Sequence, residues 1–395
     1  MKHYTVNGIL TICLEGRIDS GNAAQTEKDL FEALASASDA DIVLDADNLE
    51  YISSAGLRVL MKLRKQVKKE LPVINVSPEV YDIFEVTGFT DLLDVKKRLR
   101  EISVEGCEKI GQGGNGSVYR LDEDTIVKVY KPWMKLSDIQ RERDFSRTAF
   151  VNGIPSVIAY DVVKVGDCLG VVFEMLKSDT LGHAMAANPE KLEEYVDKYV
   201  ELAKNLHTTH VPANSFSRIQ EIYHDRVKNL APWCSAEELA LLDSLIDEIP
   251  EADTVTHNDL HPGNIMIQDG ELLLIDMPEV TMGPPVCDLT GIYRDMISAP
   301  QSASSNAIEY SVGMPADLIL KSGKMFFHKY TGIRDDAELE AYFKKLGLLY
   351  AFNVVLIVGS GSERSTQLAP IIMDKLLRGV VIPNEQAIRY LFKTL

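Results

Sequence analysis

A chain of 395 residues, 46% apolar and 25% charged, can bury two or three domain cores. Its formal net charge of −18, only −3 of it within the first 100 residues, argues against nucleic acid and anionic membranes as partners. The five separated cysteines, Cys13, Cys107, Cys168, Cys234 and Cys287, form no C-x-x-C pair, which argues against a disulfide framework or zinc site. With no apolar signal core at the N-terminus, the expectation is a cytoplasmic protein. The acidic remainder is a solubility charge or suits a cationic substrate.

Residues 1–97 alternate between strand and helix patterns. Ile9–Glu15, Ile42–Asp45 and Val73–Val76 read as strands; Ala24–Ala37, Ala55–Lys69 and Val80–Leu93 read as helices. In the second helix Leu57, Leu60, Met61 and Val67 form one apolar stripe, with Arg58, Lys62, Lys65 and Lys69 polar. Such alternation predicts an α/β layer built on one sheet. Asp94–Gly106 is charged and lacks a core pattern, so the domain boundary is placed there, after a domain spanning 1–100.

A strand-rich stretch follows over Cys107–Tyr130. Next come strands at Val162–Val165 and Gly170–Glu174, with Gly166-Asp167 at their turn. Beyond Leu181 the pattern is mostly helical, with amphipathic segments at Leu192–His207, Ala236–Asp247 and Asp336–Val358. The expected architecture is a small β-rich lobe over 106–176 and a helical lobe over 177–395. The apolar stretch near Leu348 to Gly359, interrupted by Asn353, is too short to span a bilayer and reads as a buried helix.

Three motifs in this region point to one chemistry. Gly111-Gln112-Gly113-Gly114-Asn115-Gly116-Ser117-Val118 is a G-x-G-x-x-G-x-V turn, whose backbone N–H groups can approach phosphate because no Cβ stands in the way. Lys128 lies inside the apolar strand Ile126–Tyr130, where an ammonium needs a carboxylate partner or an edge open to water. Glu142 on the following helix is the first candidate partner, with Asp138 and Asp144 as rivals. His257-Asn258-Asp259-Leu260-His261-Pro262-Gly263-Asn264 matches H-x-D-x-x-x-x-N. After it, Ile265–Gln268 and Glu271–Ile275 flank Asp269-Gly270, a type I′ hairpin signal. That hairpin would bring Asn264 and Asp276 to one open end, an oxygen pair suited to Mg²⁺ carrying ATP phosphates. Asp259 could then accept or orient the proton of an attacking hydroxyl.

This ensemble resembles the kinase superfamily over residues 106–395, nearer to the aminoglycoside/choline-kinase-like branch than to eukaryotic protein kinases. Leu260–Asn264 and Gly283-Pro284-Pro285-Val286-Cys287-Asp288-Leu289 look like that branch's motifs. The resemblance implies a bilobal α+β fold and ATP contacts from Gly111, Gly113, Gly116, Val118, Lys128, Glu174 and Leu176. It also implies a Lys128–Glu142 pair, Asp259 as base, Asn264 and Asp276 on the metal, and His257 and Asp288 bracing the loop. Met277-Pro278 replaces Phe-Gly, and only 11 residues separate Asp276 from Asp288, so no long phosphorylatable activation loop fits.

Leu14–Asp19 and Tyr51–Leu60 resemble the STAS family of anti-sigma factor antagonists, over roughly residues 4–100. That resemblance makes Ser54, at the start of the second helix, a candidate phosphorylation site, although Ser53 stands where many members have Asp. A helix N-terminus tolerates phosphate, yet the added charge can expel an acidic partner. The plainer reading is that Ser53 or Ser54 caps the helix, and that Asp19 only stabilises a turn. Together the domains suggest an ATP:hydroxyl phosphotransferase in partner-switching signalling, with an anti-sigma-type protein as partner. The alternatives are a small-molecule kinase for an aminoglycoside or amino alcohol, and a nucleotide-binding pseudokinase scaffold.

Overall fold

The computed structural model describes the chain apart from residues 7, 36–40, 68–69 and 303–304 and the side chains of 363 and 364. It divides into two compact units, Met1–Ser103 and Val104–Leu395.

In the first unit β1 (His3–Val6) runs antiparallel to β2 (Ile9–Ile18). Beyond β2 come β3 (Asp41–Ile52), β4 (Pro72–Val76) and β5 (Asp94–Lys97), each parallel to its predecessor. Parallel neighbours need crossovers, supplied by α1 (Ala23–Ala35), α2 (Ser54–Gln66) and α3 (Pro78–Val86). A short strand β6 (Arg100–Glu101) ends the unit. The expected helix ends at Ala37 and Lys69 lie outside the described residues.

Several boundaries differ from expectation for identifiable reasons. The third helix stops at Val86, not Leu93, because Gly88 turns left-handed at φ 71° and only a single 3₁₀ turn, Phe89–Asp91, follows. Asp94–Lys97 is a strand rather than part of a linker: a lone edge strand needs few apolar residues, and here Val95 alone packs inward. On α2 the buried face is Gly56, Leu57, Val59, Leu60 and Leu63, while Met61 is half-buried and Val67 falls at the C-cap. Gly56 permits the docking of α2, since a Cβ there would sit 2.7 Å from both Ile18 and Ile52 side chains.

The second unit has two lobes. β7 (Lys109–Gln112), β8 (Gly116–Arg120), β9 (Thr125–Tyr130), β10 (Ala159–Val165) and β11 (Cys168–Glu174) form an antiparallel run in the order β10-β11-β9-β8-β7. Helix α4 (Leu136–Val151) packs against β10 and β11. The larger lobe holds α5 (Leu181–Ala187), α6 (Leu192–Thr208), α7 (Ile219–Lys228) and α8 (Ala236–Ile246). It also holds the short pair β12 (Val255–Thr256)/β15 (Thr281–Met282) and the hairpin β13 (Ile265–Gln268)/β14 (Glu271–Leu274). The hairpin turn is left-handed at Asp269 and Gly270, φ 53° and 87°, as a type I′ turn requires.

Helices α9 (Val286–Tyr293), α10 (Ser305–Val312), α11 (Ala316–Thr331), α12 (Asp336–Val358), α13 (Glu363–Ile372) and α14 (Glu385–Thr394) complete the lobe. The whole of α12 is long and apolar enough to cross a membrane, contrary to the estimate from its C-terminal half alone. Leu346, Leu349, Phe352, Val355 and Leu356 nevertheless sit in the lobe's core beside Tyr199, Phe326 and Phe327.

Candidate functional site

A cleft of about 1190 Å³ in the second unit gathers the motif residues. Its roof is the β7–β8 hairpin, with Gly111 opposite Val118 and Gln112 opposite Ser117. Gly113 N donates to Gly116 O at 2.9 Å and closes the tip. The glycines serve different ends. A Cβ on Gly116 would lie 2.3 Å from Val129 O, so glycine is needed there for strand packing. Gly113 and Gly114 have nothing within 4 Å of a would-be Cβ, which leaves room for phosphate oxygens. Val118, Ile126, Val157, Phe173, Met266 and Ile275 line part of the cleft with apolar surface.

Lys128 lies between Val118 of β8 and Val171 of β11. Its Nζ is 2.7 Å from Glu142 Oε1 and 2.7 Å from Asp276 Oδ1. Burial works against the charge, but the carboxylates of Asp276 and Glu142 outweigh it and hold the ammonium above the usual lysine range. The rivals are engaged locally, Asp138 near Arg141 and Asp144 with Arg143. Glu174 lines the cleft, and its side-chain Oε1 accepts from Ile158 N at 2.7 Å. The next amide, Met175 N, donates to Asp124 O, and both Met175 and Leu176 also line the cleft.

The floor is the loop after β12. His257 is fully buried and donates from Nε2 to Ile275 O at 3.1 Å. Asp288, at the first turn of α9, accepts from the backbone N–H groups of His257 and Asn258 and faces His207 Nε2 at 3.0 Å. His207 in turn meets the Tyr330 hydroxyl at 2.8 Å. These contacts tie the loop to α6, α9 and α11, and they hold Asn258 at φ 63°, a left-handed conformation tolerated at an over-determined site. Asn258 Nδ2 also donates to Glu279 O and Thr281 Oγ1, so the short segment after Asp276 is pinned along β15.

Asp259 projects into the cleft. Its Oδ2 accepts from Asn264 Nδ2 at 2.9 Å and its Oδ1 from Arg294 Nη2 at 2.8 Å. Burial favours the neutral acid, but His261, Arg294 and His257 outweigh it and keep the carboxyl below the usual aspartate range. The group is therefore an ionised acceptor at neutral pH. Gly263 passes close to α10, where a Cβ would sit 2.1 Å from Ser311 O. Ile275 N donates to Asn264 O at 3.0 Å, so the hairpin ends bring Asn264 and Asp276 side by side. Asn264 commits its amide nitrogen to Asp259, which leaves the amide oxygen as its donor to a cation. One amide oxygen and one carboxylate, both bordering the cleft, fit a hard ion that completes its shell with phosphate oxygens and water.

Sequence reasoning missed Arg294, His207 and Tyr310, whose hydroxyl donates to Gln112 O at the glycine turn. The available signals were weak: a histidine closing the apolar stripe of α6, and an arginine just past Tyr293 at the end of α9.

In the first unit Ser53 is the N-cap of α2, accepting from Ala55 N at 3.2 Å and Gly56 N at 3.5 Å. Ser54 is exposed on the first turn. Asp19 Oδ1 accepts from Gly21 N and shapes the turn after β2. That turn lies near the cap, since Ser53 N donates to Ile18 O.

Residues 106–309 match the model of the phosphotransferase enzyme family, and residues 1–102 match the STAS domain. The first unit is 39% identical over 93 residues to BtrV of Bordetella bronchiseptica, named among the anti-sigma factor antagonists; the match covers 23% of this chain and 79% of that one. It is 28% identical over 98 residues to the anti-sigma F factor antagonist of Paenibacillus polymyxa, covering 24% and 82%. Among solved structures, ADP-bound aminoglycoside phosphotransferase APH(2″)-Ib aligns with TM-score 0.44 and 15% identity over 79% of this chain and 98% of that one. A choline/ethanolamine kinase family protein from Mesorhizobium loti aligns with TM-score 0.42 and 14% identity over 73% and 92%.

Proposed function

Since this chain belongs to the phosphotransferase enzyme family and carries a STAS domain of the anti-sigma factor antagonist kind ahead of it, we propose that it is an ATP- and Mg²⁺-dependent serine kinase of a partner-switching system. The acceptor is the hydroxyl of Ser54, or of the equivalent serine on another STAS domain, and phosphorylation switches binding of an anti-sigma-type protein. One observation carries the choice of acceptor: Ser53 does the capping of α2, so Ser54 is exposed and released from that duty.

Each group has a role in this reading. The glycine turn and Lys128 position the triphosphate, and Glu142 holds Lys128. Asn264 and Asp276 would hold Mg²⁺, which supplies charge neutralisation on the phosphates. Asp259 orients the acceptor hydroxyl and takes its proton as the oxygen attacks. At Ser54 the new phosphate would lie at the positive N-terminal end of α2, while its charge of nearly −2 repels an acidic partner.

The test is incubation of the full chain with labelled ATP and Mg²⁺, followed by phosphosite mapping. Label on Ser54 that vanishes in both Ser54→Ala and Asp259→Ala supports the reading. Phosphate on an added amino alcohol, with none on protein, replaces it with a small-molecule kinase. Nucleotide binding without hydrolysis or transfer leaves a scaffold.

A further inference from the structure

Arg294 has no place in the motifs, yet it is the only arginine hydrogen-bonded to Asp259 among the described residues. It begins the π-helical turn Arg294–Ser298 that interrupts the helix after Tyr293. Such wide turns recur where a side chain must be re-aimed at a functional site. Here the guanidinium is held from behind by Asp295, with Nε 2.7 Å from Oδ1 and Nη2 2.6 Å from Oδ2. In front, the same Nη2 is 2.8 Å from Asp259 Oδ1. Asp295 is buried and the arginine side chain is 29% exposed, so the fork is clamped at its rear, and it reaches the cleft through Asp259, which lines it.

A half-buried arginine between two carboxylates is weak evidence for stability, because apolar residues of similar volume pack as well or better. Geometry offers a better reason for it. A carboxylate can rotate about its Cβ–Cγ bond, and Asn264 restrains only Oδ2. Arg294 restrains Oδ1 and leaves one of that oxygen's acceptor directions for a hydroxyl.

We propose that Arg294 is a positioning residue of the transfer centre: clamped by Asp295, it fixes the Asp259 carboxylate plane so that Oδ1 meets the acceptor hydroxyl, and it sets a positive charge beside the attacking oxygen. This rests on the phosphotransfer reading above. In the step it serves, the acceptor oxygen–phosphorus bond forms as the bond from the γ-phosphorus to the β–γ bridging oxygen breaks. The electron pair leaves on ADP, and the acceptor proton passes to Asp259. Arginine is required because its planar fork reaches both carboxylates, whereas a lysine ammonium keeps the charge but not the fork.

The experiment uses the full chain with Mg-ATP and water as acceptor. ADP release gives kcat and KM for wild type, Arg294→Ala, Arg294→Lys and Asp295→Asn, with melting followed on each. The expected result is a fall in kcat on the order of 10²-fold for Arg294→Ala with KM for ATP within about 2-fold of wild type. Arg294→Lys should recover several-fold of that loss, and Asp295→Asn should fall between Arg294→Lys and wild type. Wild-type kcat in Arg294→Ala overturns the proposal. So does an Arg294→Lys no better than alanine with both melting well below wild type, since that is a folding role. A wild type that turns over no ATP instead refutes the phosphotransfer reading, and this inference falls with it.

Discussion

Replacing Lys128 by methionine removes a cation that touches both Glu142 and Asp276, each at 2.7 Å. Glu142 has a side-chain exposure of 5%, against 39% for Asp276, so the stranded charge that matters is Glu142. Breaking a buried pair from one side costs about 3–5 kcal/mol, and protonation of Glu142 recovers part of that, so about 3 kcal/mol is expected. Glu142→Gln leaves Lys128 paired with Asp276 and should cost only about 1–2 kcal/mol. In the double variant no buried charge is left alone, and its loss should fall short of the sum by about 1–2 kcal/mol. Trp133 and Trp233, the chain's two tryptophans, both lie in Val104–Leu395, so tryptophan fluorescence during denaturant unfolding reports that unit alone. A Lys128→Met variant within about 0.5 kcal/mol of wild type, or strict additivity in the double variant, would refute the claim that the lysine is held by buried charge.

The two ends of the glycine turn should separate stability from binding: Gly116→Ala must displace Val129 O and should destabilise the unit, whereas Gly113→Ala should melt like wild type but bind ATP more weakly by calorimetry. In the first unit Ser53→Ala should cost about 1 kcal/mol of stability through the lost cap, while Ser54→Ala should cost almost none, as read by circular dichroism melting of residues 1–103 within the full chain. Asp259 is held below the usual aspartate range, with burial opposed and outweighed by His261, Arg294 and His257. Its stabilising contribution is therefore complete above the unfolded value of about 4 and is lost as pH falls through the lower folded value. Tryptophan-detected stability from pH 6 downward should fall more steeply in wild type than in Asp259→Asn.

Much of this was legible because the signals are local. The hairpin joining Asn264 to Asp276 follows from Asp269-Gly270 between two apolar runs, and its two-residue turn leaves only one way to align the ends. The Lys128 partner was narrowed but not fixed, since helix spacing leaves Asp138, Glu142 and Asp144 within reach; only packing of α4 on the sheet buries Glu142. The Ile158 amide that engages the Glu174 carboxylate is a contact that the sequence does not record. Strand β5 was missed because an edge strand bonded on one side needs little apolar pattern, so its charged run reads as linker. Arg294 and His207 act through contacts 35 and 81 residues away in the chain, which no short motif records.

The central claim is that Lys128, Asp259, Asn264 and Asp276 work together on a magnesium–ATP complex. The most direct measurement is ADP formation by the full chain with and without Mg²⁺, in wild type, Asp259→Ala and Asp276→Ala. The account predicts Mg²⁺-dependent turnover in wild type that falls by a factor on the order of 10² or more in either variant. Turnover that persists without Mg²⁺, or that survives in both alanine variants, would contradict it.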